Sequence, residues 1–167
     1  FSTAWNLNAA LHYTKGDGYY EEYKDSSYLV TYGLKPFTMD GKEVSKSDLV
    51  RQKKMDNKFG GGVFSLNYTN HRLTASLGGG LNQYRYDGDH FGKVLWVKNY
   101  IGALSPEHEY YRNQSKKTDG NIYLKATYDL SKGLSAYADL QYRHIDYTID
   151  GTNDKYDWNK NTLRPLA

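Results

Sequence analysis

The stretch Asn121–Arg143, NIYLKATYDLSKGLSAYADLQYR, decides the fold. Ile122, Leu124, Ala126, Tyr128 and Leu130 alternate with polar residues, and so do Leu134, Ala136, Ala138, Leu140 and Tyr142. A period of two is that of a β-strand with one apolar face. Ser131-Lys132-Gly133 separates the two series, and a three-residue loop with glycine in the left-handed position is a common hairpin connection. Folding there sets Leu124 opposite Leu140, Ala126 opposite Ala138 and Tyr128 opposite Ala136. On the other face Lys125 meets Asp139, an opposite-charge cross-strand pair worth about 0.2–1 kcal/mol.

The same alternation recurs three times. Trp5, Leu7, Ala9, Leu11 and Tyr13 form one series, and Leu73, Ala75, Leu77, Gly79 and Leu81 another. Phe64, Leu66 and Tyr68 form the third, continued upstream by Gly60 and Gly62. Each of the five apolar series spans nine positions, and a strand that crosses a bilayer needs about 9–11 residues. The intervening positions hold Asn6, Asn8, Ser65, Asn67, Thr74, Ser76, Lys125, Asp139 and Gln141. Apolar residues outward and polar residues inward is the pattern of an outer-membrane barrel wall. The expected fold is all-β: an antiparallel up-and-down meander of about five strands, a segment of a transmembrane β-barrel wall.

A tight turn at Asn70-His71 would pair Tyr68 with Leu73, Leu66 with Ala75 and Phe64 with Leu77, with Ser65 against Ser76. Asn tolerates the positive φ such a two-residue loop favours. Gly60, Gly61 and Gly62 then come beside Gly78, Gly79 and Gly80, where the wall can bend or another backbone can approach closely. The remaining connections read as long loops, about 16–57 and about 87–119. Short and long connections alternate in outer-membrane barrels, whereas compact soluble domains rarely carry such loops. Trp5, Tyr68 and Tyr128 fall at the short-turn end of the apolar face, and Tyr13 and Tyr142 at the other, as aromatic rings do at two membrane interfaces. Beyond Tyr142 the apolar phase moves to Ile145, Tyr147 and Ile149, and Tyr84 and Tyr86 do something similar. Bulges or twisted strand ends are the expected cause.

Composition fits this reading. Among 167 residues there are 18 Tyr, 3 Pro and no Cys, which removes disulfides and thiolate metal sites. Mean hydropathy is -0.84, and no apolar run reaches the length of a membrane helix. Barrel strands expose only alternate residues to lipid, so low hydropathy does not exclude a membrane. The net charge of +3 is small and the basic residues are scattered. Nucleic-acid binding would call for a clustered basic face. The chain starts at Phe1, almost inside a strand, and stops at Ala167 after a polar loop. A piece of a larger protein is the expectation.

No motif carries catalysis. Asp87-Gly88-Asp89-His90 lacks the full calcium-loop pattern and reads as a polar turn. Glu107, His108 and Glu109 lack the helical spacing of a zinc protease and read as solvated loop. Neither a metal, a cofactor nor a nucleophile–base set is expected. The candidate ligand-binding residues are Tyr19, Tyr20, Glu21, Glu22 and Tyr23, within Gly16–Lys24. Tyr stacks on flat or sugar-like ligands and hydrogen-bonds through its hydroxyl. The competing reading is that Tyr19 and Tyr23 merely extend the hairpin.

Three segments carry a family resemblance: HYTKGDGYYEEYK (His12–Lys24), SDLVRQKKMDNKFGGGVFSLNYT (Ser47–Thr69) and LSAYADLQYRHIDYTIDG (Leu134–Gly151). They resemble the barrel of TonB-dependent outer-membrane receptors. The resemblance implies a plugged barrel of about 22 strands, of which residues 1–167 would supply about five as a partial barrel without the plug domain. It also implies uptake of a scarce external ligand, such as an iron chelate or a cobalamin-like molecule. The plug would be pulled by an inner-membrane TonB-type energy-coupling protein, and the location would be the outer membrane of a Gram-negative bacterium. No functional residue with a fixed family motif falls in the chain. Two alternatives stay open: a passive outer-membrane porin or adhesion barrel, and a soluble Tyr-rich carbohydrate-binding β domain. Removed from lipid, an open-edged wall is expected to self-associate.

Overall fold

The computed structural model describes residues 3–100 and 108–164. The protein is all-β, and its main sheet is an antiparallel meander of five strands. These are β1 (Trp5–Tyr28), β4 (Lys46–Thr69), β5 (Leu73–Val97), β6 (Glu109–Ser131) and β7 (Leu134–Gly151), neighbours in that order. Two short hairpins accompany it: β2 (Phe37–Met39) with β3 (Lys42–Val44), and β8 (Tyr156–Asp157) with β9 (Thr162–Leu163). A 3-10 turn, Leu29–Tyr32, follows β1. Among the described residues no helix is long and apolar enough to cross a membrane, which says nothing of strands.

The stretches expected as long loops are in part strand. Of residues 16–57, the stretches through Tyr28 and from Lys46 belong to β1 and β4, and much of 87–119 belongs to β5 and β6. The apolar alternation stops there, so the strand signal fades, but pairing continues through polar side chains. Arg51 meets Glu22 at 2.8 Å, Gln52 meets Glu21 at 3.0 Å, and Lys54 meets Asp17 at 3.9 Å. Cross-strand polar pairs stabilise a ladder as apolar ones do.

Two compact units divide these strands. The first holds Phe1–Thr14, Lys58–Tyr84 and Lys116–Tyr147; the second holds Lys15–Asn57, Arg85–Ser115 and Thr148–Ala167.

In the first unit the hairpin at Ser131-Lys132-Gly133 forms as expected. Gly133 has φ +84, Ser135 Oγ donates to Asp129 Oδ1 at 2.6 Å, and Lys125 Nζ lies 3.7 Å from Asp139. The other turn differs. Its loop is His71-Arg72: the Asn70 N–H donates to the Leu73 carbonyl, and Asn70 Oδ1 accepts from the N–H groups of Arg72 and Leu73. Asn is favoured at the first position of a four-residue turn because its side chain caps the backbone in this way. Pairing therefore shifts, so that Asn67 rather than Ser65 bonds Ser76, at 2.7 Å. A shift by a whole pleat leaves every side chain on its expected face.

The glycine runs do lie side by side. A Cβ on Gly80 would meet Val63 Cγ1 at 3.0 Å and the Gly62 carbonyl at 3.3 Å. Gly78 leaves room for the Tyr123 ring, which a Cβ there would strike. Ile145 and Tyr147, where the apolar phase moves, lie within β7. The strand β7 is unbroken through them, and alternation places both on the side of Arg143, which grips Asp119.

The second unit holds a core. Leu29, Tyr32, Leu34, Leu49, Val94, Val97 and Tyr110 are buried together, with Phe37, Tyr100 and Tyr111 packed on them. The 3-10 turn feeds Leu29 and Tyr32 inward and ends at Gly33, whose φ of 68 suits glycine. Asp40 and Gly41, both at positive φ, turn β2 into β3, the Asp-Gly hairpin preference.

Candidate functional site

The five candidate ligand residues lie on β1 within the second unit. Successive side chains on a strand point to opposite faces, so the structure splits the set. Tyr20 and Glu22 share one side; Tyr19, Glu21 and Tyr23 share the other. Glu21 accepts from Gln52 Nε2. Tyr23 hydrogen-bonds Asp48, which also takes the Ser26 N–H at 3.1 Å and Lys98 Nζ at 3.0 Å. Tyr19 and Tyr20 are exposed. Only Glu22 enters a built charge cluster.

That cluster centres on Arg51, a β4 side chain only 12% exposed. Its Nε and Nη2 both donate to Glu22 Oε2, at 3.1 and 2.8 Å, and Nη1 donates to Asp154 Oδ2 at 3.0 Å. The Tyr32 hydroxyl accepts from Nη1 at 3.4 Å. Lys53 shares Asp154, and Lys24 shares Glu22. Burial works against the Arg51 charge, but the Glu22 hydrogen bond and the field of Asp154 hold its pKa above the ordinary value. Hydrogen bonds from Lys24 and then Arg51 lower the Glu22 carboxyl to about 2. Burial, then Asp154, raises the Tyr110 and Tyr111 hydroxyls above the usual phenol range. Tyr110 Oη and Asp154 Oδ1 are buried without a hydrogen-bond partner.

The cluster is a clamp. It joins β1, β4 and the segment before β8 through a cation held by two carboxylates and the Tyr32 hydroxyl. What the arrangement does is hold these segments together by charge and hydrogen bonding.

The other singled-out residues are dispersed. His90 stacks on Tyr86, ring centroids 3.6 Å apart, and its Nε2 meets Asn57 Oδ1 at 2.8 Å. Glu107 lies outside the described residues. His108 Nε2 meets the Tyr32 carbonyl at 2.7 Å, and Glu109 Oε1 accepts from Arg112 Nε at 2.7 Å.

Sequence reasoning missed Arg51, Lys53 and Asp154. Arg51 sat inside a supposed loop, and Asp154 meets it only through folding. The available signal was charge of opposite sign in the two stretches, Glu21 and Glu22 in one and Arg51, Lys53 and Lys54 in the other.

The first unit has two unlike faces. On one, Trp5, Leu7, Leu11, Tyr13, Phe64, Leu77, Leu124, Leu130, Leu140 and Tyr142 are all exposed. Trp5 and Tyr68 pack against each other there with tilted rings, centroids 4.7 Å apart. On the other, Asn8 donates to Asn6 at 2.6 Å and to Ser65 at 3.4 Å, Ser76 donates to Asn67, and Arg143 Nε donates to Asp119 Oδ1 at 2.9 Å. No protein-family model, no curated protein and no solved structure matches the chain.

Proposed function

We propose that the chain is a stretch of outer-membrane β-barrel wall from a TonB-dependent receptor that imports a scarce ligand. The observation that carries this reading is the exposed apolar face of the first unit. Soluble monomers rarely leave so continuous an apolar patch in water, and here it repeats over the nine-residue length a tilted strand needs to cross a bilayer. The opposite face is hydrogen-bonded and charged, as a wet lumen requires. The second unit, with its polar ladders and its clamp, fits the water outside. The edge strands β1 and β7 would pair with further strands of the same barrel. Import, and the energy-coupling partner, rest on the resemblance of the three quoted segments.

A soluble carbohydrate-binding domain would need a second layer over the apolar face. In that face Leu11 and Leu140 stay exposed.

The chain has no cysteine, so labelling of a cysteine introduced into it is read against the unsubstituted full-length protein. In intact cells making the full-length protein, Glu43→Cys should react with a membrane-impermeant maleimide and Leu124→Cys should not. Deleting the gene should also abolish uptake of its ligand. A Leu124→Cys thiol that labels as readily as Glu43→Cys overturns the wall. Uptake unchanged by deletion overturns import alone and leaves a passive or adhesive barrel.

A further inference from the structure

The polar side of the first unit holds a cleft of about 730 Å³ that none of the preceding assignments uses. Its size lies within the range of small-molecule pockets. Phe59, Tyr84, Ile145 and Tyr147 give it apolar and aromatic walls, and Asn82, Lys117 and Asp119 give it polar ones.

Three features define what it takes. Flat rings offer stacking area at little entropic cost. Asn82 Oδ1 is buried over Gly61, in space a Cβ there would fill, and has no hydrogen-bond partner. A buried, unpaired amide oxygen is costly, and turning the amide toward a donor in the cleft breaks no bond of that oxygen. The third feature is charge. Asp119 is held by Arg143 through Nε at 2.9 Å and Nη2 at 2.5 Å, so its charge is matched. The Lys117 ammonium makes no ion pair or hydrogen bond among the described residues, and a positive charge is left over.

We propose that this cleft binds a sugar ring bearing a carboxylate. Hydroxyl groups both donate and accept, so one polyol can serve Asn82, the free lone pairs of Asp119 and the Lys117 ammonium together. The ring's C–H face lies on Tyr84 and Tyr147. The carboxylate answers Lys117. A simple aromatic acid would satisfy the walls and Lys117 but leave Asn82 Oδ1 without a partner. The site deepens the import reading, because it lies on the face assigned to the lumen, but its test uses no lipid.

The test is a chemical-shift titration of the full-length protein in detergent micelles with glucuronate, glucose and benzoate. Glucuronate should bind best and glucose about tenfold more weakly, the size of one charged hydrogen bond. Lys117→Met should lower glucuronate to the glucose level and leave glucose unchanged, and Lys117→Arg should keep the preference. Tyr84→Ala should weaken both sugars. Benzoate binding as tightly as glucuronate, no binding by either sugar, or a preference that survives Lys117→Met would each overturn the proposal. Because the membrane reading is tested by labelling and lipid contact, failure here leaves it standing.

Discussion

The two units are built from the same five strands and solve the same problem in opposite ways. In the second unit apolar side chains close into a core: Leu29 and Leu49 are 0% exposed and Val94 is 1% exposed. In the first, Leu11 is 91% and Leu140 is 68% exposed, and the hydrogen-bonded polar side chains line one face. Burial of apolar area drives the fold of a domain in water. A sheet whose apolar face stays outside must instead find that burial in something other than its own core. One continuous strand such as β1 thus passes from a segment designed for an apolar surround to one designed for water.

The comparison breaks most easily through the cores. Leu49→Ala should destabilise the second unit by about 2–5 kcal/mol, equally in detergent and in lipid, as read by urea unfolding. Ala126→Arg should act the other way round: about 2–4 kcal/mol in vesicles, where the apolar face meets lipid, and little in a short-chain detergent that can rearrange around it. An Ala126→Arg penalty that is the same in both media would erase the distinction between the units.

Electrostatics separates the units next. Asp154→Asn removes the shared partner of Arg51 and Lys53, whose side chains are 12% and 16% exposed. It should cost the second unit about 1–3 kcal/mol, visible as faster hydrogen exchange in residues 46–57 and unchanged exchange in residues 122–142. The pH profile follows from Glu22. Its folded pKa of about 2 lies below the ordinary 4.5. The stabilisation is therefore complete above pH 4.5 and is lost as pH falls toward 2. Hydrogen exchange in the second unit should rise over that window, and Glu22→Gln should flatten the change.

The smallest effects belong to the first unit's surface. Asn70→Ala removes two caps on backbone N–H groups and should cost about 1 kcal/mol. Replacing Lys125 and Asp139 together should change stability by less than about 0.5 kcal/mol, because the pair is exposed. Urea midpoints for the two variants check both figures.

How much of this was legible depended on which force held each part. Where apolar residues alternate, as from Ile122 to Leu140, the pattern alone yields strand, face and the turn at Gly133. The His71-Arg72 loop was misplaced because Asn70 acts through its side chain, not through a positive φ. The outer halves of β1, β4, β5 and β6 were invisible to a hydrophobic period, because charge pairs such as Glu22 with Arg51 hold them. An Asp-Gly turn at Asp40-Gly41 was a usable hairpin signal inside that region. Of the five candidate ligand residues, alternation alone implies that they cannot all face one ligand. The Asp154 contact and the cleft at Lys117 join positions far apart in sequence, which no local pattern encodes.

The central claim is that the first unit's apolar face meets lipid. The three tryptophans allow a direct test: Trp5 lies in the first unit, Trp96 and Trp158 in the second. Variants keeping only Trp5, or only Trp158, would be folded into vesicles of lipid brominated near the glycerol, and fluorescence quenching measured. The account predicts strong quenching of Trp5 and almost none of Trp158, with the order reversed for aqueous iodide. Equal quenching of the two by brominated lipid, or a Trp5 that iodide reaches as easily as Trp158, would contradict it.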